Sequence, residues 1–545
     1  MKKILSLVLA LALVLSLCAS AQAAVTPKGQ FPITDEPITL KVAVPVSAKV
    51  PDINTNELTL YFEEATGVDL DIIELNSADA ATQINMLMNG GDLPDIILGY
   101  NFPYDVLCNY ADAGLLQPLT PYLEEYCQNL YDVIIADLGP ATLGYVTYDG
   151  EVWAMPSGGQ LITNKYGHYY NAVPITFLKN LGYEEAPDTL DEVYEYLVAV
   201  RDQDANGNGD PSDEIGMISY AETIHTAWRW ILQAYQYVDP DLFLKNNNGT
   251  VEFVANNELF KEGVAFLKKL VDEKLFDPAS FTQDQTVLAA LAAQEGIHIG
   301  LDGVGYNTNY YDTAADNVEY NYRVRIDNLT GPNGYCASMI ETNAVRAPMV
   351  ITSACEYPEI AVRLFDFFLS DETSRIVRVG FEGKEWAVAP EGVIGRDGTQ
   401  AGFVLLKPQE WVQPSTNVIW DMENFIHSNV MNKAEASYSL LEGFEFPYLP
   451  KMVTPGTAGF ITDYNLVAET TDEQLPQLLM NVDDSAEFNE LKTLIKEYVY
   501  EHIALFALGE KSLDADWDTY VGELDKMGLA RYIELAQASF DELTK

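Results

Sequence analysis

A short acidic loop carries the clearest chemical signal in the sequence. Residues 202–214 read DQDANGNGDPSDE, so side-chain oxygens recur at alternate positions and two glycines permit tight turns. Oxygen ligands in such an arrangement suit a hard cation such as Ca²⁺. The predicted ligands act through their side chains, except that Asp210 uses its carbonyl group: Asp204, Asn206, Asn208, Asp210, Asp213 and Glu214. The sequence therefore predicts a structural calcium site that orders this loop.

Two alternatives to this assignment stay open at the level of sequence. The ligand register could begin at Asp202 instead of Asp204. The spacing to the final acid also differs from an EF-hand, which has Glu at position twelve, so the loop is EF-hand-like only. The simpler interpretation is a polar turn, rich in Asp and Asn, that follows a helix ending near Arg201.

Aromatic residues form the second group with functional potential. The chain has 7 Trp and 32 Tyr, and flat aromatic rings stack on the apolar faces of sugars. The predicted ligand-binding residues lie near glycines, turns or sequence landmarks: Trp153, Trp228, Trp230, Tyr306, Trp386 and Trp420. Packing in the core is the competing explanation for each of them. Since Trp228 and Trp230 cannot both face the core from a helix, we expect at least one to be exposed.

Catalytic motifs are not evident in the sequence. The five histidines are scattered, and the chain has no HExxH, GxSxG, GxGxxG or Walker sequence. A glycosidase needs two carboxylates beside its substrate, but with 82 acidic residues such pairs arise by chance. The sequence therefore favours a binding protein over an enzyme, and a carbohydrate-active enzyme is kept as a minor alternative.

The first hundred residues predict the elements of a parallel α/β sheet. Short apolar strands are predicted at 39–44, 69–75 and 96–98, and amphipathic helices between them at 56–65 and 78–88. Strands that alternate with helices in this way are typical of parallel sheets.

Later segments predict more helix. Thr189 and Glu192 form a capping box, and Asn248-Gly249 indicates a tight hairpin. Helices are predicted at 260–271 and 358–369 and over the last fifty residues, where Trp517, Tyr520 and Leu524 share one face. Strands are predicted at 296–301 and 349–352.

The N-terminus indicates export. Lys2 and Lys3 precede an apolar run over residues 4–17, and small residues follow, so 1–23 is predicted to be a signal peptide cleaved after Ala23. Lipidation of Cys18 is the alternative, but it is disfavoured because the preceding residue is Leu17.

Four other cysteines either form the short-loop pairs Cys108–Cys127 and Cys336–Cys355 or stay as buried thiols. The net charge of −51 disfavours nucleic acid and anionic membrane surfaces as partners.

Several motifs, in this order, resemble one protein family. They are TGV at 66–68, GDLPDI at 91–96, DGEVWAMP at 149–156, the acidic loop, FEGKEW at 381–386 and the tail at 517–541. Together they resemble the bacterial extracellular solute-binding proteins of ABC importers, and in particular the carbohydrate-binding subgroup that includes the alginate-binding proteins. The resemblance runs over nearly the whole chain after the signal peptide.

The resemblance implies a type II periplasmic-binding-protein-like α/β fold with two lobes, several crossover segments and a ligand cleft that closes by a hinge. Lobe one would comprise residues 38–154 and 334–394, and lobe two 155–333 and 395–545. The implied partners are a carbohydrate and a membrane permease, and a monomer would suit delivery. The stretch 161–171 lacks an arginine that the family often has, so a neutral oligosaccharide is expected. A peptide ligand and a secreted sugar-binding sensor or adhesion protein are the alternatives.

Overall fold

A computed structural model describes most of the chain. The described residues are 25–46, 50, 52–158, 171–221, 227–292, 294, 298–302, 323–326, 329–337, 345–392, 400, 402–405, 472–480 and 482–544. The predicted signal peptide, Tyr306 and Trp420 lie outside them, as do residues 161–170. The chain divides into two compact units. Unit one contains the described residues up to Gly158 and Val345–Val377, and unit two contains the described residues from 171 to 337 and those that follow Val377.

The strands of the described residues are numbered in chain order. They are β1 (Ile38–Val46), β2 (Val68–Asn76), β3 (Ile96–Leu98), β4 (Thr147–Tyr148), β5 (Glu151–Val152), β6 (Met155–Ser157), β7 (Asn171–Pro174), β8 (Glu214–Ile218), β9 (Leu244–Asn247), β10 (Thr250–Phe253), β11 (His298–Asp302), β12 (Arg323–Ile326), β13 (Arg346–Ile351), β14 (Trp386–Val388) and β15 (Phe403–Leu405).

The α-helices of at least six residues follow the same numbering rule. They are α1 (Glu57–Thr66), α2 (Ala80–Gly90), α3 (Tyr104–Asp112), α4 (Thr120–Tyr126), α5 (Ile175–Asn180), α6 (Leu190–Asp202), α7 (Ala227–Gln233), α8 (Glu258–Asp272), α9 (Gln285–Ala292), α10 (Pro358–Phe368), α11 (Asp371–Val379), α12 (Val482–Ala507), α13 (Trp517–Lys526) and α14 (Leu529–Leu543). Further short helical segments lie at Ser77–Asp79, Leu130–Ile135, Ala136–Leu138, Pro140–Val146 and Pro278–Phe281.

Unit one is built on a five-stranded sheet in the order β2-β1-β3-β13-β6. Strands β2 and β3 both run parallel to β1, while β13 is antiparallel to β3 and β6. The first three strands and the two helices between them lie where the sequence pattern predicted them, so the alternating strand–helix prediction is confirmed. β13 enters the sheet from a distant part of the chain, which a local pattern does not reveal.

Local signals explain where these first elements begin and end. The Asn56 side chain accepts a hydrogen bond from the Leu58 N–H at the start of α1. Gly67 ends that helix in the left-handed conformation, with φ +72°. A Cβ at this position would also lie 2.9 Å from Pro32 and from the Thr34 carbonyl oxygen. Glycine is therefore required at position 67 for both backbone conformation and space.

Unit two contains a four-stranded sheet in the order β12-β7-β11-β8. β8 pairs in parallel with β11, whereas β7 runs antiparallel to β11 and β12. The capping box at the start of α6 is present, with Thr189 and Glu192 each accepting a backbone N–H of the other. The predicted hairpin is also confirmed, since Asn248 and Gly249 adopt positive φ between β9 and β10.

The C-terminal helices complete the core of unit two. Trp517, Tyr520 and Leu524 of α13 are buried together, as their spacing predicted. The Tyr520 hydroxyl donates to the Ala255 carbonyl at 2.9 Å, which ties α13 to the segment before α8. The last fifty residues thus contribute to the same core as the middle of the chain.

The cysteines of unit one correct one of the sequence alternatives. Cys108, Cys127 and Cys355 are buried free thiols, so neither short-loop disulfide is formed. Burial raises the pKa of Cys108 to about 11 and that of Cys355 to about 12. These groups therefore act as small apolar core residues rather than as reactive thiolates.

The predicted lobe boundaries differ from the bounds of the two compact units and remain predictions. The predicted lobe one ends at 154 and resumes over 334–394, while unit one continues to Gly158 and resumes at Val345–Val377. The ligand cleft and the hinge closure implied by the resemblance also remain predictions.

Candidate functional site

The acidic loop of unit two joins helix α6 to strand β8. The helix ends at Asp202, and Glu214 is the first residue of the strand. β8 lies at an edge of its sheet and pairs only with β11 among the described strands. The His298 N–H of β11 donates to the Asp213 carbonyl at 3.2 Å, which anchors the end of the loop to the sheet.

Contacts of Asp202 separate the two possible ligand registers. Its two carboxylate oxygens accept hydrogen bonds from Arg201 Nε at 2.7 Å and Nη2 at 2.8 Å. These bonds lower the pKa of the carboxyl group. Because Arg201 also donates to the Glu273 carbonyl at 2.9 Å, the pair is held against the neighbouring α8 end. Asp202 is thus engaged outside the loop, which favours a register that begins at Asp204.

Asp204 organises the first half of the loop. Its Oδ1 accepts from the Gly207 N–H at 2.8 Å, and its Oδ2 accepts from the Gly209 N–H at 2.7 Å. Both glycines have positive φ, +79° and +96°, a conformation that other residues adopt with difficulty. Gly207 and Gly209 therefore allow the backbone to turn around the Asp204 carboxylate.

The two asparagines converge on Asp213. Asn206 Nδ2 donates to Asp213 Oδ1 at 3.0 Å, and Asn208 Nδ2 donates to Oδ2 at 2.6 Å. The Asp210 carboxylate instead accepts from the N–H and hydroxyl of Ser212, so its side chain is occupied in a turn. The contribution of the Asp210 carbonyl group to a metal site stays a prediction.

Glu214 closes the loop from the strand side. Its Oε1 accepts from the Ala205 N–H at 2.8 Å and the Asn206 N–H at 3.2 Å. Its Oε2 is buried without a hydrogen-bond partner. Burial is the main reason why the pKa of this carboxyl group is raised. A buried carboxylate oxygen lacking a partner is a place where a cation would be stabilising.

The donor set as a whole fits a hard cation. The loop contains carboxylate and amide oxygens, which are the ligands that Ca²⁺ prefers. Among the described residues, no group of three or more His, Cys, Asp or Glu side chains is close enough to hold a metal by itself. Asparagine oxygens and a backbone carbonyl would therefore have to complete the coordination.

Trp153 lies in unit one, directly after the β4–β5 hairpin. Asp149 and Gly150 form the turn of that hairpin with φ of +49° and +81°. The Trp153 indole Nε1 donates to the Tyr148 carbonyl at 2.9 Å, and its backbone N–H donates to the Val146 carbonyl at 2.9 Å. The side chain is half-buried, so the hairpin holds the indole in a fixed orientation while part of it stays accessible.

The other described tryptophans are buried. Trp228 and Trp230 are 2% and 3% exposed in the core of unit two, so the expectation that one of them is exposed is wrong. Every residue of α7 is buried, because the helix is enclosed on all sides. The Trp228 ring is parallel to Phe243, with centroids 6.4 Å apart. We therefore expect protein stability rather than ligand affinity to depend on this pair.

Trp386 is 7% exposed and is held by its own hairpin. Its Nε1 donates to the Gly380 carbonyl at 2.9 Å, and its ring packs edge-on against Phe403 of β15. Its role as a ligand contact stays a prediction. So do those of Tyr306 and Trp420, which lie outside the described residues.

One contact of the loop was missed by sequence reasoning. Asn180, the last residue of α5, donates through Nδ2 to the Ala205 carbonyl at 3.0 Å. It lies more than twenty positions before the loop, and no motif links the two segments. Only the tertiary fold brings them together.

Comparison with known proteins decides the family. A sequence profile described as bacterial extracellular solute-binding protein matches residues 45–374, more than half of the chain. The chain belongs to this family. The family and the relatives found are binding proteins of transport systems rather than enzymes.

A curated relative of this solute-binding protein matches over almost its whole length. It is the fructooligosaccharide ABC transporter substrate-binding protein FusA of Streptococcus pneumoniae, 26% identical over 97% of this chain and 96% of the relative. Among solved structures, an HMO-binding solute-binding protein from Bifidobacterium longum infantis superposes with a TM-score of 0.73 at 18% identity, covering 94% of this chain and 100% of that one. The predicted type II periplasmic-binding-protein-like fold is thereby confirmed.

A further solved structure is that of a relative with a mutated EF-hand. FusA of S. pneumoniae, described as an EF-hand mutant in complex with fructo-nystose, has a TM-score of 0.67 and 21% identity, covering 93% of this chain and 99% of that one.

Within the described part of the present solute-binding protein, no helix combines the length and apolarity needed to cross a bilayer.

Proposed function

We propose that this protein is the oligosaccharide-capturing component of an ABC importer. The family match over residues 45–374 carries this proposal, and the fructooligosaccharide-binding relative, similar over nearly the whole chain, supports the substrate class. The protein binds its ligand without turnover and delivers it, as a monomer, to a membrane permease.

Trp153 is a ligand contact in this proposal. Stacking on a sugar needs a ring whose face is accessible and whose orientation does not have to be ordered on binding. Two hydrogen bonds that hold Trp153 to the β4–β5 hairpin support the second condition, and the partial exposure of Trp153 supports the first.

The ligand is a neutral oligosaccharide. The formal charge of −51 repels acidic sugars over a long range. An acidic sugar would need a guanidinium partner to offset that repulsion, and the stretch 161–171 provides none.

The acidic loop binds Ca²⁺ with a structural role. The residues that would hold the ion are Asp204, Asn206, Asn208, Asp213 and Glu214 through side chains and Asp210 through its carbonyl group. The buried Glu214 Oε2 supports this assignment. When bound, the ion would neutralise the carboxylates that the loop draws together and would stiffen the link between α6 and β8.

The protein is exported, with cleavage after Ala23. Lys2, Lys3 and the apolar run that follows support a signal peptide. Mass spectrometry of the protein from the producing cells tests this assignment. A free N-terminus at Ala24 is expected, whereas a diacylglyceryl group on Cys18 would replace it with the lipoprotein alternative.

Isothermal titration calorimetry of the mature protein tests the substrate class. We would titrate neutral fructo-oligosaccharides, oligogalacturonates and peptides, and analyse each mixture for products by mass spectrometry. Trp153→Ala should weaken binding of the neutral sugar by at least tenfold, since stacking and apolar contact are lost together. The matched control Trp228→Phe should leave affinity within twofold.

The possible outcomes lead to different conclusions. Binding of a neutral oligosaccharide without products supports the proposal. Binding of peptides alone would keep the family but overturn the substrate class. Conversion of the sugar into shorter products would overturn the function.

A further inference from the structure

The amide of Asn180 contacts the acidic loop at its tightest turn. Asn180 Nδ2 donates to the Ala205 carbonyl at 3.0 Å. On its other side, Ala205 donates its N–H to Glu214 Oε1 at 2.8 Å. Both polar groups of this buried residue are therefore held from outside the turn, one by α5 and one by the start of β8.

The same amide lies against Gly207. A Cβ at position 207 would come within 2.8 Å of Asn180 Nδ2. Gly207 also has a φ of +79° and donates its N–H to Asp204 Oδ1. The backbone conformation thus favours glycine at 207, and a Cβ there would in addition displace the Asn180 amide.

We infer that Asn180 is a positioning residue for the cation loop and couples helix α5 to cation binding. This inference rests on the calcium site proposed above. Asn180 holds the Ala205 carbonyl and with it the peptide plane that joins Ala205 to Asn206. Because Ala205 links the proposed ligands Asp204 and Asn206, this contact keeps them in their relative orientation before the ion arrives. A preorganised site loses less conformational entropy on binding. Cation binding should in turn stabilise α5, which follows β7 directly.

The test measures Ca²⁺ affinity by calorimetry for the mature protein and for Asn180→Ala. Asn180 is exposed, so the loss of one hydrogen bond should weaken Ca²⁺ binding by about 3–10-fold. Lys179→Ala is the matched control, because it removes a neighbouring exposed side chain and leaves the amide in place. It should bind Ca²⁺ within twofold of the wild type.

Hydrogen exchange of residues 175–180 provides a readout that a merely structural role would not change. In the wild type, Ca²⁺ should slow exchange in α5 at least threefold, and in Asn180→Ala this slowing should disappear. If Asn180 only supported the fold, its removal would speed exchange equally with and without Ca²⁺.

A double-mutant cycle with Gly207→Ala tests the contact itself. Gly207→Ala should weaken Ca²⁺ binding in the wild type at least tenfold. In the Asn180→Ala background the additional loss should be at least threefold smaller, because the steric conflict is gone and only the backbone strain remains.

Failure of the inference and failure of the calcium proposal are distinguishable. If the wild type does not bind Ca²⁺, the calcium proposal itself is overturned. If the wild type binds Ca²⁺ but Asn180→Ala binds it equally well and the cycle shows no coupling, only the role of Asn180 is refuted.

Discussion

The ligand register of the acidic loop makes a sharp prediction about two aspartates two residues apart. Asp204→Asn should abolish stabilisation by Ca²⁺, whereas Asp202→Asn should preserve it. The reason is that Asp204 carries its carboxylate into the loop, while Asp202 is bonded to Arg201. The two variants make the same chemical change and differ only in position.

The expected size of the stabilisation by Ca²⁺ follows from the linkage between ion binding and folding. Extracellular calcium modules bind with Kd of about 10⁻⁴–10⁻³ M, so 10 mM Ca²⁺ should stabilise the protein by about 1.4–2.7 kcal/mol. Because unit two spans more than 300 residues, the melting temperature should rise by about 2–4 °C. Asp204→Asn should also lose one of two hydrogen bonds to the glycine N–H groups, which costs about 1 kcal/mol without calcium.

Differential scanning calorimetry of both variants in EDTA and in 10 mM CaCl₂ separates these effects. The melting temperature in EDTA reports the loss of the loop's own hydrogen bonds. The difference between the two conditions reports the ion alone. MgCl₂ at the same concentration controls for ionic strength.

Two results would refute the reasoning. Loss of the calcium response in Asp202→Asn, with a normal response in Asp204→Asn, would reverse the register. A wild-type protein that melts at the same temperature in EDTA and in CaCl₂ would leave the loop as a polar turn without an ion.

Three further predictions concern the units that support the site. Trp228→Ala should lower the free energy of unfolding of unit two by about 3–5 kcal/mol, as measured by urea denaturation, because the indole is buried among aromatic rings; a loss below 1 kcal/mol would contradict this packing role. Asp366→Ala should destabilise unit one by about 1–3 kcal/mol, since the buried N–H group of Leu130 loses its acceptor, as does the N–H group of the exposed Gln128. Hydrogen exchange at 127–135 should rise only in this variant and not in the exposed control Asp132→Ala. Burial lowers the pKa of His502, and Lys511 adds to this effect. The stability that His502 contributes is therefore complete above pH 6.5 and is lost as pH falls through the folded pKa, by at most about 1.4 kcal/mol per pH unit. Chemical denaturation at several pH values should show a flatter dependence of unfolding free energy on pH for His502→Gln, and an unchanged dependence would argue against this group.

Much of the local structure was determined by the sequence itself. The strand–helix alternation of the first hundred residues, the Thr189 capping box and the Asn248-Gly249 hairpin all appear where they were predicted. In each case a few neighbouring residues supply the physical cause, such as a side-chain acceptor at a helix start or a residue that tolerates positive φ. The composition of the acidic loop likewise predicted the donor atoms of the proposed calcium site, and those ligands remain a prediction.

Only the tertiary structure decided which side chains are available for function. Trp228 and Trp230 looked like a half-exposed pair because a helix usually has one open face, but α7 is enclosed on every side. The register that begins at Asp202 stayed open as an alternative until the bonds of Asp202 to Arg201 were visible. Asn180 carried no signal, because its contact with Ala205 is made across the fold. Sequence patterns report what a residue can do with its neighbours along the chain, whereas burial and long-range hydrogen bonds depend on which distant segments pack against it.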